Sequence, residues 1–217
     1  MSAIYTLGID VGSTASKCIM LKDGEEIVAK SLIDVGAGTS GPQRAIDAVL
    51  ENAGMKKEDM AFTLATGYGR NSLMNFADKQ MSELSCHARG AYFLFPDVHT
   101  VIDIGGQDVK GIAIDTDGTV LNFAMNDKCA AGTGRFFESM ARAFEMSLDE
   151  FSNLSLTAKN VIPITAQCAV FAESEVISLV GEGKPMEEIA AGIQLSVAKR
   201  CSVMAKTAGA ADSVTLT

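Results

Sequence analysis

The pattern of apolar and polar positions predicts one three-stranded unit that occurs twice along the chain. Three apolar runs between residues 4 and 33 are separated by glycine-containing turns, as in a series of β-hairpins. The second and third runs flank Asp23-Gly24, a dipeptide favoured in two-residue hairpin turns. Residues 99–125 repeat this order, with Asp117-Gly118 in the matching position. The chain is therefore expected to contain two similar sheets.

Helical periodicity and short apolar runs follow each three-stranded unit. Pro42 suits the start of a helix that Gly54 would end, with apolar positions between them on one face. Ser147 and Glu150 have the spacing of a capping box at the start of a short helix. The remaining pattern predicts strands over 61–66, 161–165 and 214–217, and helices over 71–91 (broken near Gly90), 136–144, 168–180 and 186–207.

The repeat divides the chain into two expected lobes, residues 1–97 and residues 98–217, with the boundary near Pro96. A chain of 217 residues is long enough for two small domains. Each lobe would hold a mixed sheet with its own glycine turn. The predicted fold class is therefore α/β with two similar lobes.

The two units share a local motif that indicates phosphate binding. Ile9–Lys17 and Ile102–Lys110 both read apolar, Asp, apolar, Gly, small residue, and both close with lysine. Glycine lets the backbone turn tightly and approach a ligand, while a carboxylate at the end of a strand suits Mg²⁺. Neither copy is a Walker A or a Rossmann turn. Two ordinary hairpins with turn glycines are the alternative, which the repetition makes less favourable.

The motif supplies a defined set of candidate site residues. Asp10 and Asp103 are expected to bind Mg²⁺ through water. If the bound phosphate is hydrolysed, Gln107 or Asp108 is expected, on position alone, to orient the attacking water. Backbone amides, hydroxyls and one ammonium group would hold the phosphates. The residues assigned to this role are Gly12, Ser13, Thr14, Ala15, Ser16 and Lys17 in the first copy, and Gly105, Gly106 and Gln107 in the second.

Composition and charge narrow the classes of partner. The chain is 47% hydrophobic and 21% charged, as in ordinary globular proteins, and its net charge of −9 argues against nucleic acid or an anionic membrane as a partner. Its apolar runs fall short of the roughly 20 residues that a membrane span needs. The first residues lack the basic region of a signal peptide, so the expected location is the cytoplasm.

Two of the five cysteines, Cys129 and Cys168, precede helical patterns and have a capping-type residue three positions upstream. A helix N-terminus favours thiolate over thiol, which suits metal ligation. Two thiolates are too few for a four-cysteine site in one chain, but a two-fold dimer would supply four. The alternative is that they are small buried residues, which is the interpretation adopted for Cys18, Cys86 and Cys201.

The duplicated turn resembles that of the actin-like ATPase superfamily, which has a ribonuclease H-like fold and includes sugar kinases, Hsp70-type chaperones and actin. This resemblance implies two lobes with ATP and Mg²⁺ in the cleft between them. In that superfamily a third glycine turn contacts the adenosine. The present sequence stops at Thr217, where such a turn would begin, so the C-terminal end of the fold is expected to be missing.

A closer resemblance is to the activator components of 2-hydroxyacyl-CoA dehydratases, in the group that includes the ATPase subunits of benzoyl-CoA reductases. The stretch Asn126–Gly134 is highly specific for them. The likeness extends over essentially the whole chain and is clearest in the runs Leu7–Lys17, 65–70, 78–87, Ile102–Lys110, Asn126–Phe136 and 170–178. In that family the cysteines matching Cys129 and Cys168 hold one 4Fe–4S cluster between two identical subunits.

The resemblance implies an ATP-driven electron donor. Reduced ferredoxin or flavodoxin would load the cluster, and the homodimer would pass one electron to the dehydratase, coupled to ATP hydrolysis. Two other functions stay open on the sequence, namely a small-molecule kinase of the same superfamily and a non-catalytic nucleotide-dependent binding module. A Zn²⁺ ion bridging the same four thiolates is a further alternative for the metal.

Overall fold

The computed structural model describes residues 3–165 and 168–217. The chain divides into two compact units, residues 1–86 and residues 87–217. The division falls inside helix α2 (Glu83–Leu94), upstream of the boundary expected near Pro96. No helix within the described ranges is both long and apolar enough to cross a membrane.

The first unit is a five-stranded mixed sheet with strand order β3-β2-β1-β4-β5. Strands β1, β2 and β3 run antiparallel, whereas β4 lies parallel to β1 and β5 lies parallel to β4. The elements are β1 (Tyr5–Val11), β2 (Ser16–Lys22), β3 (Glu26–Ile33), helix α1 (Gly41–Ala53), β4 (Phe62–Thr66) and β5 (Lys79–Gln80), with 3₁₀ turns at Lys57–Asp59 and Arg70–Leu73.

The second unit repeats this arrangement, with strand order β8-β7-β6-β9. Strands β6, β7 and β8 are antiparallel and β9 is parallel to β6, as β4 is to β1. The elements after α2 are β6 (Thr100–Ile104), β7 (Val109–Ile114), β8 (Val120–Asn126), α3 (Gly134–Ala143), α4 (Leu148–Leu156), α5 (Ala169–Gly181), α6 (Met186–Ala208) and β9 (Val214–Leu216). The predicted duplication of the three-stranded unit is therefore confirmed.

Each sheet is covered on one face by a helix whose apolar side the sequence encodes. In the first unit Ala45, Ile46 and Val49 of α1 are buried with Leu7 and Ile9 of β1. Helix α1 has proline in its first turn and ends at Gly54, which has φ = 63°. Glycine adopts this left-handed conformation without steric cost, so the predicted helix end is confirmed.

In the second unit α6 packs on β7, and Gly111 of β7 permits the close approach because a Cβ there would lie 2.6 Å from the Met204 carbonyl. The core of this unit joins α6 to α3, α4 and α5 through buried residues that include Phe136, Phe151, Val176 and Ile193. The predicted capping box at Ser147 is present, and α4 begins directly after it.

The predicted long helix over 71–91 is confirmed only in its second half, where α2 (Glu83–Leu94) lies, and the predicted break near Gly90 is wrong. Residues Arg70–Leu73 form a 3₁₀ turn, β5 then pairs with β4, and α2 continues through Gly90 to Leu94. Asp78 anchors the strand, since its N–H donates to the Thr63 carbonyl and its carboxylate accepts from the Thr63 N–H. Asparagine and aspartate in this stretch favour such local bonds over helix.

The predicted strand over 161–165 is also wrong. The Ile162 N–H donates to the Glu188 carbonyl, and the Thr165 N–H donates to the Glu175 carboxylate, so these donors bond to helical residues and not to a neighbouring strand. Pro163 has no N–H to give to a ladder. The apolar side chains here pack against the helical core of the second unit.

Candidate functional site

The first glycine turn joins β1 to β2 and is closed by its own backbone. The Gly12 N–H donates to the Ala15 carbonyl at 3.0 Å, and the Gly12 carbonyl accepts from the Ala37 N–H at 2.8 Å. A Cβ on Gly12 would lie 2.8 Å from the Ala15 carbonyl oxygen, and a Cβ on Gly36 would overlap the Ser13 backbone. The turn is therefore held tightly on both sides. Ser13, Thr14 and Ala15 remain partly exposed.

Ser16 lies at the end of this turn but faces the protein interior. Its hydroxyl donates to the Val35 carbonyl at 2.8 Å, and the residue has no exposed surface. The hydroxyl therefore connects the turn to the segment before α1. Because this hydroxyl is buried and already bonded, the Ser16 side chain is not a proposed phosphate ligand.

Asp10 and Lys17 face each other across the first hairpin. They are paired in the register of β1 and β2, and Lys17 Nζ lies 2.9 Å from Asp10 Oδ2. The lysine side chain is 52% exposed and the aspartate side chain 28% exposed. Gly67 lies beside the carboxylate with φ = 87°, and a Cβ at this position would overlap Asp10 Oδ1. Glycine thus leaves open space at one oxygen of Asp10.

The second glycine turn is bonded directly to the first turn of α3. The Gly105 carbonyl accepts from the Gly134 N–H at 2.9 Å, and the Gly106 carbonyl accepts from the Arg135 N–H at 3.1 Å. These donors are among the helix N-terminal N–H groups that lack partners inside the helix. The position of the turn and the position of the helix N-terminus are therefore linked.

Asp103 is buried in the second unit and has charged neighbours. Lys110 Nζ lies 2.9 Å from Asp103 Oδ2 and 2.8 Å from Asp108 Oδ1, while His87 Nε2 lies 3.7 Å from Asp103 Oδ2. Asp103 and Lys110 are paired across β6 and β7 as Asp10 and Lys17 are across β1 and β2. Gln107, in contrast, is exposed.

Cys129 lies in the loop between β8 and α3, and Asn126 holds its backbone. Asn126 Oδ1 accepts from the Cys129 N–H at 3.3 Å, and Asn126 Nδ2 donates to the Cys129 carbonyl at 3.3 Å. Because α3 begins at Gly134 with Thr133 as its N-cap residue, the expected placement of Cys129 at a helix N-terminus is wrong. The upstream asparagine forms a local turn instead.

Cys168 is the N-cap residue of α5 and is exposed, so its expected placement is confirmed. The helix that follows presents apolar side chains on its outer face. Val170 is 67% exposed, Phe171 70% and Ile177 58%, and all three lie on the side opposite the buried Ala172 and Val176. A helix face of this kind indicates an interaction surface.

A cavity of about 470 Å³ lies next to Cys129 within the second unit. Its wall combines apolar residues of α6 with two cationic residues, Lys199 and Arg200. The aliphatic part of Arg200 packs near Gly132, where a Cβ would lie 3.2 Å from Arg200 Cδ. Helix α6 therefore contacts the loop that contains Cys129.

Burial affects the thiol chemistry of the other three cysteines. Cys18 and Cys201 are buried, and Cys86, like Cys129, is partly buried. Burial raises the pKa of the Cys18 thiol from 9.0 to about 12, although a hydrogen bond with Ser31 opposes part of the shift. Burial likewise raises the pKa of Cys86 and of Cys201. Thiols of this kind are poor ligands and poor nucleophiles.

The chemistry of these residues fits the expected groups. Carboxylates at Asp10 and Asp103 are the hard oxygen donors that Mg²⁺ prefers, and the glycine beside Asp10 leaves room at one oxygen. Cys168 is exposed and Cys129 is partly buried, and thiolates of this kind are the ligands that an iron–sulfur cluster prefers. Over residues 3–165 and 168–217, no group of three or more His, Cys, Asp or Glu side chains is arranged to hold a metal ion.

Three contributors to these sites, namely Gly67, Asn126 and Lys110, were not assigned these roles from the sequence, although Lys110 closes the second motif and Asn126 is the capping-type residue upstream of Cys129. Asn126 had a visible signal, because asparagine three residues before a functional residue is typical of a local side-chain turn. Gly67 has only the weak signal of a glycine directly after a strand. The different burial of Lys110 and Lys17 has no local signal at all.

A family profile and a characterised relative both match almost the whole chain. The sequence profile of the BadF/BadG/BcrA/BcrD ATPase family matches residues 7–217. The (R)-2-hydroxyglutaryl-CoA dehydratase activating ATPase of Acidaminococcus fermentans is 62% identical over 99% of this chain and 82% of its own length.

Two solved structures are similar over almost the whole chain. The crystal structure of component A of the Acidaminococcus fermentans (R)-2-hydroxyglutaryl-CoA dehydratase matches with a TM-score of 0.95 and 63% identity, over 99% of this chain and 82% of its own. The activator of the 2-hydroxyisocaproyl-CoA dehydratase from Clostridium difficile, with bound ADPNP, matches with a TM-score of 0.94 and 49% identity, over 98% and 79%. The predicted α/β fold of the actin-like ATPase type is thereby confirmed.

Proposed function

Because the chain belongs to the BadF/BadG/BcrA/BcrD ATPase family, we propose that it is an ATP-hydrolysing activator that passes one electron to a 2-hydroxyacyl-CoA dehydratase. The observation that carries this proposal is the duplicated Asp–Gly-turn–Lys unit in a chain 62% identical to an activating ATPase. A solved relative of 49% identity has ADPNP bound, which supports nucleotide binding by this chain as well.

The two glycine turns are proposed to hold the phosphates of ATP. The Gly12 N–H already closes its own turn, so the N–H groups of Ser13, Thr14 and Ala15 are the proposed donors in the first unit. The hydroxyls of Ser13 and Thr14 add further donors. In the second unit the carbonyls of Gly105 and Gly106 bond to α3, and the N–H groups of Gly105, Gly106 and Gln107 are the proposed phosphate donors.

Lys17 is proposed to bind a phosphate oxygen by leaving Asp10. Its ion pair with Asp10 is partly exposed, and the lysine side of the pair is in contact with water, so exchanging one anion for another is inexpensive. The released carboxylate of Asp10, together with Asp103, is proposed to bind Mg²⁺ through water. Mg²⁺ neutralises phosphate charge and so assists attack at the terminal phosphorus.

Gln107 is the stronger of the two candidates for orienting the attacking water. Asp108 Oδ1 is engaged by Lys110 at 2.8 Å, whereas the Gln107 side chain is exposed at the turn itself. An amide in this position can accept from water and donate to a phosphate oxygen at the same time. Gln107→Ala should therefore lower the rate of ATP hydrolysis more than it lowers nucleotide affinity.

Cys129 and Cys168 are proposed to ligate a 4Fe–4S cluster shared by two copies of the chain. When bound, such a cluster accepts and releases single electrons at low potential. Each copy would supply two thiolates, which is half of a four-cysteine ligand set. The apolar outer face of α5 begins directly at Cys168, and we propose that this face packs against a second copy.

The backbone also connects the proposed nucleotide site with the proposed cluster site. The second glycine turn bonds to the start of α3, and the loop before α3 contains Cys129. A displacement of Gly105 and Gly106 on hydrolysis would therefore move the chain that leads to this ligand. Small changes in the surroundings of a cluster alter its potential, which gives ATP a route to electron transfer.

The partners follow from this role. The proposed electron donor is reduced ferredoxin or flavodoxin, and the acceptor is the dehydratase, so one electron enters and one leaves for each cycle. We place the protein in the cytoplasm, where such soluble carriers act.

Anaerobic purification followed by iron, sulfide and zinc analysis tests the metal centre. We expect a brown protein with four iron atoms per two chains, because one 4Fe–4S cluster shared by two chains contains four iron atoms. Cys129→Ala and Cys168→Ala should each lose the iron and shift the dimer toward monomer, as measured by sedimentation. Cys86→Ala is the matched control and should keep both.

The same preparation tests the ATPase activity. Wild-type protein should hydrolyse ATP in the presence of Mg²⁺, and Asp10→Asn should lose the Mg²⁺-dependent part of nucleotide binding. A colourless protein that contains zinc, or an unchanged iron content in Cys129→Ala, would contradict the proposed cluster. ATP phosphorylating a small-molecule hydroxyl at a comparable rate would favour the kinase alternative.

A further inference from the structure

The two lysines that close the repeated motif are paired in the same register but have different surroundings. Lys17 is 52% exposed at its side chain and contacts the carboxylate of Asp10. Lys110 is 3% exposed at its side chain and lies between two carboxylates, those of Asp103 and Asp108. The sequence motif is symmetric, but the environments of the two ammonium groups are not.

Burial prevents Lys110 from acting as Lys17 is proposed to act. An ammonium group removed from water needs close anionic partners, and Lys110 has them at 2.9 and 2.8 Å. To reach a phosphate, its ammonium would have to leave both carboxylates, one of which is itself 7% exposed. Lys110 is therefore fixed in place, whereas Lys17 can exchange its partner.

Asp108 connects this buried ion pair to the glycine turn. A Cβ on Gly105 would overlap Asp108 Oδ1, so the turn is folded against this carboxylate. The same oxygen accepts from Lys110 Nζ. A displacement of Asp108 would therefore disturb Gly105 and, through the Gly105 carbonyl, the first turn of α3.

Charge balance explains why Lys110 forms ion pairs with both Asp103 and Asp108. With Lys110 in place, the three groups carry a net charge of −1, and the two carboxylates are held together instead of repelling each other. Without the ammonium they would carry −2 and repel each other. Asp103 would then be displaced, so the Mg²⁺–water that it is proposed to hold would no longer be aligned for attack on the phosphate.

We propose that Lys110 is a positioning residue that holds Asp103 and Asp108 in the geometry needed for ATP hydrolysis, and that it does not bind the nucleotide. The inference rests on the proposed ATPase function and extends it to a residue outside the phosphate contacts. It also assigns different roles to the two lysines of the repeat, ligand for Lys17 and internal counter-ion for Lys110.

The test compares Lys110→Met with Lys17→Met in the anaerobically purified dimer. Lys110→Met should lower kcat for ATP hydrolysis by about 10²-fold while KM changes by less than about threefold, since misplaced groups lower the rate and leave ground-state binding intact. Lys17→Met should instead weaken binding of a non-hydrolysable ATP analogue, as measured by calorimetry with and without Mg²⁺. Lys22→Met is the neutral control, because it removes an ion pair between Lys22 of β2 and Glu26 of β3 that lies at the surface.

A second variant keeps the test decisive if Lys110→Met folds poorly. Asp108→Asn combined with Lys110→Met restores the net charge of −1, so it should recover the thermal stability lost in the single variant. It should also regain at least about tenfold in kcat, because Asp103 no longer faces an uncompensated carboxylate.

Three results would overturn the proposal. One is a loss of nucleotide affinity in Lys110→Met as large as that in Lys17→Met, which would make Lys110 a phosphate ligand. Another is unchanged kcat in a Lys110→Met protein with a lowered melting temperature, which would make the ion pair structural only. The third is a double variant that regains stability but no activity. Absence of ATPase activity in the wild type would instead contradict the proposed function itself.

Discussion

The side-chain amide of Asn126 forms two hydrogen bonds with the backbone of Cys129: it accepts from the Cys129 N–H and donates to the Cys129 carbonyl, both at 3.3 Å. Asn126 is the last residue of β8 and is paired with Val109 of β7. The proposed cluster ligand is thus connected to the sheet that contains the second glycine turn, although it lies in a loop.

Asn126→Ala should loosen this loop without altering the sheet. We expect a lower iron content per dimer and faster loss of iron in air, because the thiolate is no longer held in position. Nucleotide affinity should stay within about twofold of the wild type, because Asn126 is not a proposed phosphate ligand. Iron and sulfide analysis after timed exposure to air measures the effect. The control is Asn122→Ala on the same strand, because the Asn122 amide donates to the Ala208 carbonyl of α6 and not to Cys129. Equal iron loss in both variants would show that the Asn126 contact has no special role.

Gly67→Ala should disturb the proposed magnesium site through Asp10. Gly67 has φ = 87°, and a Cβ there would overlap Asp10 Oδ1, so alanine must displace the carboxylate or the loop. Gly54 also has positive φ but has no atom within 4 Å of its Cβ position, which makes Gly54→Ala the matched control. Gly54→Ala should lose about 1–2 kcal/mol of unfolding free energy from backbone strain alone.

Gly67→Ala should lose at least about 1 kcal/mol more than this control, because overpacking adds to the strain. It should also weaken Mg²⁺-dependent binding of a non-hydrolysable ATP analogue. Urea denaturation and calorimetry measure the two effects. Equal stability losses together with normal Mg²⁺ dependence would mean that the space beside Asp10 is not needed.

The sequence predicts those parts of the site that depend on local geometry. The position of Asp10 and Asp103 follows from two copies of one motif, and the register confirms that each faces a lysine across its hairpin. Burial, in contrast, depends on what the rest of the chain places around a residue, so Lys17 and Lys110 look equivalent in the sequence and differ in the fold.

The wrong secondary-structure predictions have the same origin. Strand β5 has two residues and exists because β4 offers it a parallel edge, which no local pattern around Lys79 reveals. Residues 161–165 are apolar and β-branched but bond to helical residues, so their composition predicts a strand that tertiary contacts prevent.

Stability should fall as the pH rises above about 9, because of the buried cysteines. Burial raises the pKa of Cys18 from 9.0 to about 12, so in this range the unfolded chain loses a proton that the folded chain retains. The unfolded state then binds fewer protons, and the free energy of unfolding decreases by up to about 1.4 kcal/mol per pH unit for each such thiol. The effect is absent below pH 8, where the thiol is protonated in both states.

Urea denaturation between pH 8 and pH 10.5 measures this slope. Cys18→Ala should reduce it, whatever its effect on stability at pH 8. A slope that is the same in wild type and Cys18→Ala would argue against a thiol that stays protonated in the fold.

Gly192 of α6 is expected to be the least replaceable glycine in the helices of the second unit. A Cβ at this position would overlap the Ile162 carbonyl oxygen, which belongs to the segment leading toward Cys168. Gly192→Ala must separate α6 from this segment, so we expect a loss of about 1–3 kcal/mol of unfolding free energy, as for other overpacked sites. Gly181→Ala is the matched control, because its Cβ has no atom within 4 Å, and it should be neutral or stabilising by up to about 1 kcal/mol. Thermal melting and urea denaturation of both variants check the difference, and a Gly192→Ala protein as stable as Gly181→Ala would show that residues 161–165 do not need the close contact with α6.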